Sequence, residues 1–153
     1  LKGRLPGSVV AAIRDDKILR IRVGTRPHRA IGIWAVVVEG RVFVRSWSVT
    51  PRGWYRVLRE EPVGVLQVEG REIPVRAVFT RNARTKDLVS RAYLEKYDAP
   101  GSTPYARDLG RAKSRETTTE LVPRARASGS TRRASPGGRR RTARPLERRP
   151  RRS

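Results

Sequence analysis

The tetrapeptide Val-Glu-Gly-Arg occurs twice, at Val38-Glu39-Gly40-Arg41 and at Val68-Glu69-Gly70-Arg71. Each copy sits between runs of β-branched and aromatic residues. A two-residue connection ending in glycine marks a tight hairpin, because glycine accepts the positive φ that such a turn demands. Two such turns commit the chain to antiparallel strand pairs. Nothing around the two copies matches, so the repeat reflects shared turn chemistry and not an internal duplication.

The strands around these turns follow from periodicity. Over residues 18–24, Leu19, Ile21 and Val23 alternate with Arg20 and Arg22, the pattern of a half-buried strand. Residues 31–38 are apolar throughout, as expected of one strand covered on both faces. Residues 41–48 put Val42, Val44 and Ser46 on one face and Phe43, Arg45 and Trp47 on the other. Residues 63–69, 72–80 and, more weakly, 115–122 complete six strands. Pro74 has no N–H to give a ladder, so its strand is expected to have an exposed edge there. Helices are predicted over 9–16 behind a Ser8 cap, from Thr50-Pro51 to before Pro62, over 85–97, and from Thr103-Pro104 to near Ala112. Hairpin-linked strands in a body of this size predict a mainly β fold with helices, a small antiparallel barrel capped at its ends.

The composition changes at Pro123. Residues 123–153 hold twelve arginines, one glutamate and no aromatic residue, and they carry half of the net charge of +22. Such a stretch cannot bury enough apolar surface to offset its ordering entropy. The predicted organisation is one domain over 1–123 and a disordered Arg-rich tail over 124–153. The tail would attract nucleic acid, or another polyanion, nonspecifically through counterion release, or it is an extension without selected function.

Several function classes are excluded at this level. With no cysteine in the chain, thiolate metal sites, disulfides and a cysteine nucleophile drop out. His28 is the only histidine, so neither a His-based metal set nor a nucleophile triad is supported, and no metal is expected. Asp15-Asp16 and Glu60-Glu61 are neighbours on predicted helices, where adjacent side chains point apart. No apolar run approaches the roughly 18 residues of a membrane helix. No signal-peptide core follows Lys2 and Arg4, and the expected compartment is the cytoplasm.

The candidate site is the segment from Arg45 to Tyr55. A strand ends there and a helix begins, and free N–H groups at a helix start suit an anion such as phosphate. Ser46, Ser48 and Thr50 add hydroxyls, Arg45 and Arg52 add charge, and Gly53 allows close approach. The plain alternative is a capped helix among solvated arginines. The loop Gly24-Thr25-Arg26-Pro27-His28-Arg29 either closes the other side of the same cleft or is a surface loop. Trp34, Trp47, Trp54 and Tyr55 offer a flat wall for a ring or serve as core. Tyr93, Tyr97 and Tyr105 are expected to pack helices on the barrel with their hydroxyls at the surface. No catalytic acid or base is evident.

These residues also resemble a family. Ile33-Trp34, Phe43-Val44-Arg45-Ser46, Gly53-Trp54-Tyr55, Ala92-Tyr93, Lys96-Tyr97 and Thr117-Thr118 up to Pro123 resemble the bacterial domain of unknown function 2255, over roughly residues 9–123. More distantly the chain resembles deazaflavin-dependent nitroreductases and quinone reductases. This resemblance implies a six-stranded split β-barrel of the flavin-binding kind. It implies FMN or a deazaflavin as cofactor, reductase activity, and a homodimer. It also implies that Arg45, Ser46, Ser48, Thr50, Arg52, Gly53, Trp54 and Tyr55 hold the cofactor, with Arg26 and Arg29 in the place of a basic loop. A nonspecific nucleic-acid binder and a non-catalytic scaffold stand as the alternatives.

Overall fold

The structure is a computed structural model that describes residues 3–25, 29–50 and 53–124. Its strands are β1 (Leu19–Val23), β2 (Ile31–Ile33), β3 (Ala35–Val38), β4 (Arg41–Val44), β5 (Val63–Val68), β6 (Arg71–Phe79) and β7 (Thr119–Pro123). Its helices are α1 (Gly7–Asp15), α2 (Trp54–Glu60), α3 (Ala83–Lys96), α4 (Thr103–Asp108) and α5 (Ala112–Arg115). All strand pairs are antiparallel, in the order β2-β1-β5-β6-β7-β4-β3.

The two strands that end this order, β2 and β3, are consecutive in the chain, with Trp34 alone between them. The single strand expected over 31–38 is therefore bent at Trp34. Its first part pairs with β1 and its second with β4, so six expected strands become seven. Strands that switch partners through a bend are how a small sheet turns its corners. The result is a nearly closed barrel with helices packed on it.

Both Val-Glu-Gly-Arg segments are two-residue hairpin turns. Glu39 and Gly40 have φ of 54° and 75°, and Glu69 and Gly70 have 50° and 76°. Both central residues are left-handed, the type I′ geometry that matches strand twist. Pro74 lies on an internal strand, between β5 and β7, and not on an edge. Its carbonyl accepts from Arg124 N–H at 3.1 Å, just past the last paired residue of β7. The missing donor thus faces the point where the ladder ends.

Three helix starts differ from expectation. α1 begins at Gly7 behind Pro6, so Ser8 lies inside the helix and does not cap it. α2 begins at Trp54 with Gly53 as its N-cap, while Thr50 closes a turn by accepting from Gly53 N–H at 3.0 Å. Pro51 falls outside the described residues. α3 starts at Ala83 because the Asn82 side chain accepts from Thr85 N–H at 2.9 Å. β7 starts only at Thr119. The hydroxyls of Thr117 and Thr118 donate back to the carbonyls of Ser114 and Arg115 and close the end of α5.

Two apolar clusters hold these elements together. The barrel interior gathers Ile21, Leu66, Val75, Val42, Val44 and Leu121 with Val9 and Ile13 of α1 and Leu58 of α2. A second layer lies outside the sheet, where Val36 and Phe43 meet Val89, Tyr93 and Tyr97 of α3 and Ala106 and Leu109. The strand alternation read from the sequence therefore holds in β4, with Val42 and Val44 inside and Phe43 outside. Phe43 on its outward face is covered by helices, while Arg41 at the start of the strand stays partly exposed.

Candidate functional site

Arg45 follows Phe43 on that outer face and is buried with it. Its exposure is 1%. Nε donates to Thr118 Oγ1 at 2.8 Å, Nη1 to Ser90 Oγ at 2.7 Å and to the Leu109 carbonyl at 2.8 Å, and Nη2 to the Lys86 carbonyl at 2.7 Å. Four of the five guanidinium N–H groups are thus turned to internal acceptors. Desolvation lowers its pKa to about 10, which leaves it charged at neutral pH. Arg45 ties α3, α4 and the approach to β7 onto the end of β4. It does not offer its charge to a phosphate in solvent.

The hydroxyls that follow are engaged locally. Ser46 Oγ accepts from Ser48 N–H at 3.1 Å, and Ser48 Oγ accepts from Thr50 N–H at 3.2 Å. Ser46 N–H donates to Thr117 Oγ1 at 2.8 Å. These bonds build two successive side-chain turns, which carry the chain from β4 towards α2. Trp54 packs half-buried against the barrel core, and Arg29 is exposed. Arg26 and Arg52 lie outside the described residues.

Tyr55 is the member of the predicted set that lines a substantial cleft. The cleft, of about 520 Å³, is bordered by Tyr55, Arg56, Arg59 and Glu60 of α2, by Phe79 of β6 with Thr80 and Arg81 beyond it, and by Lys86 of α3. Val49 and Glu116 complete it. The floor is aromatic: the rings of Tyr55 and Phe79 meet edge to face, 6.1 Å apart at 90°. The Arg59 guanidinium lies 4.5 Å from the centre of the Phe79 ring. Lys86 Nζ is matched by Glu116, with both carboxylate oxygens at 3.2 Å. That leaves Arg56, Arg59 and Arg81 against Glu60, a positive surplus in a concave site whose base holds two aromatic rings.

Sequence reasoning reached the edge of this cleft and missed most of it. Arg56 and Arg59 are three apart on one helix, a spacing that places them on neighbouring turns of one face. Nothing in the linear order joins them to Arg81, which arrives through the end of β6.

The aromatic residues divide by position. Tyr93 is fully buried, and its hydroxyl donates to the Trp34 carbonyl at 2.7 Å and accepts from Arg45 N–H at 3.1 Å. The Tyr97 hydroxyl donates to the Lys17 carbonyl. Both hydroxyls, expected at the surface, are interior hydrogen-bonding groups, and burial pushes the Tyr93 and Tyr97 phenols well above their usual range. Tyr105 is exposed, as are parts of Trp47. Among the described residues, no group of three or more His, Cys, Asp or Glu side chains could hold a metal ion, and no helix is long and apolar enough to cross a membrane.

Residues 8–121 match the model of a family described as uncharacterized protein conserved in bacteria (DUF2255). No curated protein matches the chain. Among solved structures, the conserved hypothetical protein Rv2991 from Mycobacterium tuberculosis is similar with 13% identity and a TM-score of 0.49, covering 90% of this chain and 94% of that one. A structure named F420 reductase is similar with 15% identity and a TM-score of 0.42, covering 80% of this chain and 97% of that one.

Proposed function

The chain belongs to the DUF2255 family, and from that premise we propose that it is a cofactor-binding barrel whose basic cleft takes FMN or a deazaflavin, serving a reductase. The observation that carries the reading is that Arg56, Arg59 and Arg81 border one concavity of about 520 Å³ together with the Tyr55 and Phe79 rings, with Arg59 over Phe79. Guanidinium groups suit phosphate oxygens because their planar N–H pairs match them two by two. The apolar floor suits a flat ring system. Three cations against one carboxylate, with Lys86 already matched by Glu116, give the site the charge a phosphate-bearing ligand requires. The cofactor would supply hydride transfer, and the protein would supply binding and orientation.

Within this proposal the chain's own residues divide the work. Arg56 and Arg81 hold the anionic end. Arg59, anchored on Phe79, carries charge next to the ring-binding floor. Tyr55, held in place by Phe79, shapes that floor. Ser46, Ser48 and Thr50 fix the path of the loop that leads to the cleft, and Gly53 sets the start of α2. Arg26, Arg29 and Arg52 remain proposed contributors.

Titration of the full-length protein with FMN and with a deazaflavin, followed by cofactor fluorescence, tests the reading. Saturable binding of either one at about 100 μM or tighter, about 5.5 kcal/mol, supports it. Failure of both to bind in that range removes it. A second reading rests on the last 31 residues, whose twelve arginines favour nonspecific nucleic-acid binding. A homodimer, also proposed, is checked by sedimentation.

A further inference from the structure

Trp34, Trp47 and Tyr105 border a second recess of about 500 Å³, on the side of the molecule where α4 packs, and Asp108 is its fourth lining residue. The rings stand nearly at right angles to one another. Trp34 and Trp47 are 5.2 Å apart at 71°, and Trp47 and Tyr105 are 6.4 Å apart at 86°. The walls are held by specific contacts. Trp34 stacks on Tyr97 at 3.9 Å and 2°, and its carbonyl holds the buried Tyr93 hydroxyl. Trp47 donates Nε1–H to the Tyr105 carbonyl at 3.1 Å. Two of the rings still reach solvent, Trp47 being 40% and Tyr105 57% exposed.

The charge of this recess runs against that of the whole protein. The chain has 36 basic and 14 acidic residues, yet the one charged side chain lining the recess is a carboxylate. Asp108 is paired with Arg111 Nε at 3.3 Å, but both side chains are largely exposed, at 48% and 78%. An exposed pair of this kind is weak and yields readily to a competing cation. Perpendicular aromatic rings with a carboxylate at the rim present negative π-faces from more than one side, the arrangement that attracts an organic cation.

We propose that this recess binds an alkylated ammonium group, with the cation against the faces of Trp47 and its neighbours and Asp108 neutralising it. The volume exceeds that of a trimethylammonium head, so the molecule bearing the head has room to lie along Trp34. The preference is opposite in sign to that of the basic cleft. The two sites therefore select different ligands, and this inference does not depend on the cofactor reading.

Choline and its uncharged isostere 3,3-dimethylbutanol distinguish the outcomes, with intrinsic tryptophan fluorescence of the full-length protein as the readout. The expected result is saturable binding of choline in the range of about 1–10 mM and at least about tenfold weaker binding of the isostere. Asp108→Asn and Tyr105→Ala alter exposed side chains and should leave the far-ultraviolet circular dichroism unchanged. Each should weaken choline at least about fivefold. Equal binding of choline and the isostere would overturn the proposal in favour of a merely apolar shelf. So would no saturable response to choline, or a response that neither variant changes.

Discussion

Tyr93 donates its hydroxyl proton to the carbonyl of Trp34 across 2.7 Å, at the bend where the two ends of the sheet order meet. The same oxygen receives the Arg45 N–H at 3.1 Å, just beyond the last residue of β4. One phenol thus replaces the ladder bonds that the bend and the end of β4 would otherwise leave open. Tyr93→Phe removes both bonds without changing the packing. It should cost about 1–3 kcal/mol, because a buried carbonyl and a buried N–H lose their partner. Urea unfolding monitored by circular dichroism measures the loss, and an unchanged midpoint would refute this assignment.

Arg45 should behave as a structural residue and not as a ligand contact. Arg45→Met removes a buried cation and leaves the carbonyls of Lys86 and Leu109 without their donor. The expected loss is about 1–3 kcal/mol, the cost of leaving buried neutral acceptors without a donor. Arg45→Lys should recover only part of it, since an ammonium cannot reach acceptors on α3, α4 and Thr118 in the plane of a guanidinium. Chemical denaturation of the two variants, compared with the parent, checks the order.

The exposed arginines of the cleft should show the reverse pattern. Arg56→Ala and Arg81→Ala should leave stability within about 0.5 kcal/mol. Together they should weaken FMN or deazaflavin binding at least about tenfold, the loss of one to two charge-assisted hydrogen bonds. The fluorescence titration reads it. Undiminished affinity in the double variant would place the cofactor elsewhere.

Lys96 predicts a pH dependence. Its ammonium donates to the carbonyls of Ile13 and Ala35 at 2.9 and 2.7 Å, and burial, followed by the Lys17 charge, lowers its pKa to about 8 from 10.5. Between these values the unfolded chain binds the proton more tightly than the folded one, so the contribution of Lys96 to stability rises with pH. The penalty of holding the charge is full below pH about 8 and is relieved as pH climbs towards 10.5. The urea midpoint of the parent should therefore gain on that of Lys96→Met across this window. A constant difference would contradict the shift.

Removal of residues 125–153 tests the second reading of function. If the arginines beyond Pro123 drive polyanion binding, truncation should reduce the slope of log K against log salt on duplex DNA by more than half. Each phosphate that the tail neutralises accounts for about 0.9 of that slope. An unchanged slope would assign the affinity to the barrel.

Much of the fold was legible in the order of residues alone. The two Glu-Gly turns fixed two hairpins, and the alternation in β4 separated Val42 and Val44 from Phe43 and Arg45. Periodicity reports which side chains share a face. It is silent on what covers that face. An arginine on an outward position reads as solvated, and only the docking of α3 and α4 makes Arg45 an interior residue. The same gap hid the buried hydroxyls of Tyr93 and Tyr97. The bend at Trp34 was invisible for a different reason: the residues from Ile31 to Val38 are apolar on both sides of it, so no change of period marks the change of partner. The cleft was half legible, because Tyr55, Arg56 and Arg59 are local to α2 whereas Arg81 joins them only through the end of a strand about 20 residues away in sequence.

The short strands on either side of Trp34 also bear on how copies of this protein meet one another. Among the described residues the sheet has two outer rims, one of three residues and one of four, and they are joined to each other through a single amino acid. Neither is long enough to template a foreign strand, the usual route by which β proteins stick edge to edge. Backbone continuity thus acts as a guard against aggregation, and a loop of several glycines inserted at that residue would be expected to remove it, letting the rims part and recruit neighbours.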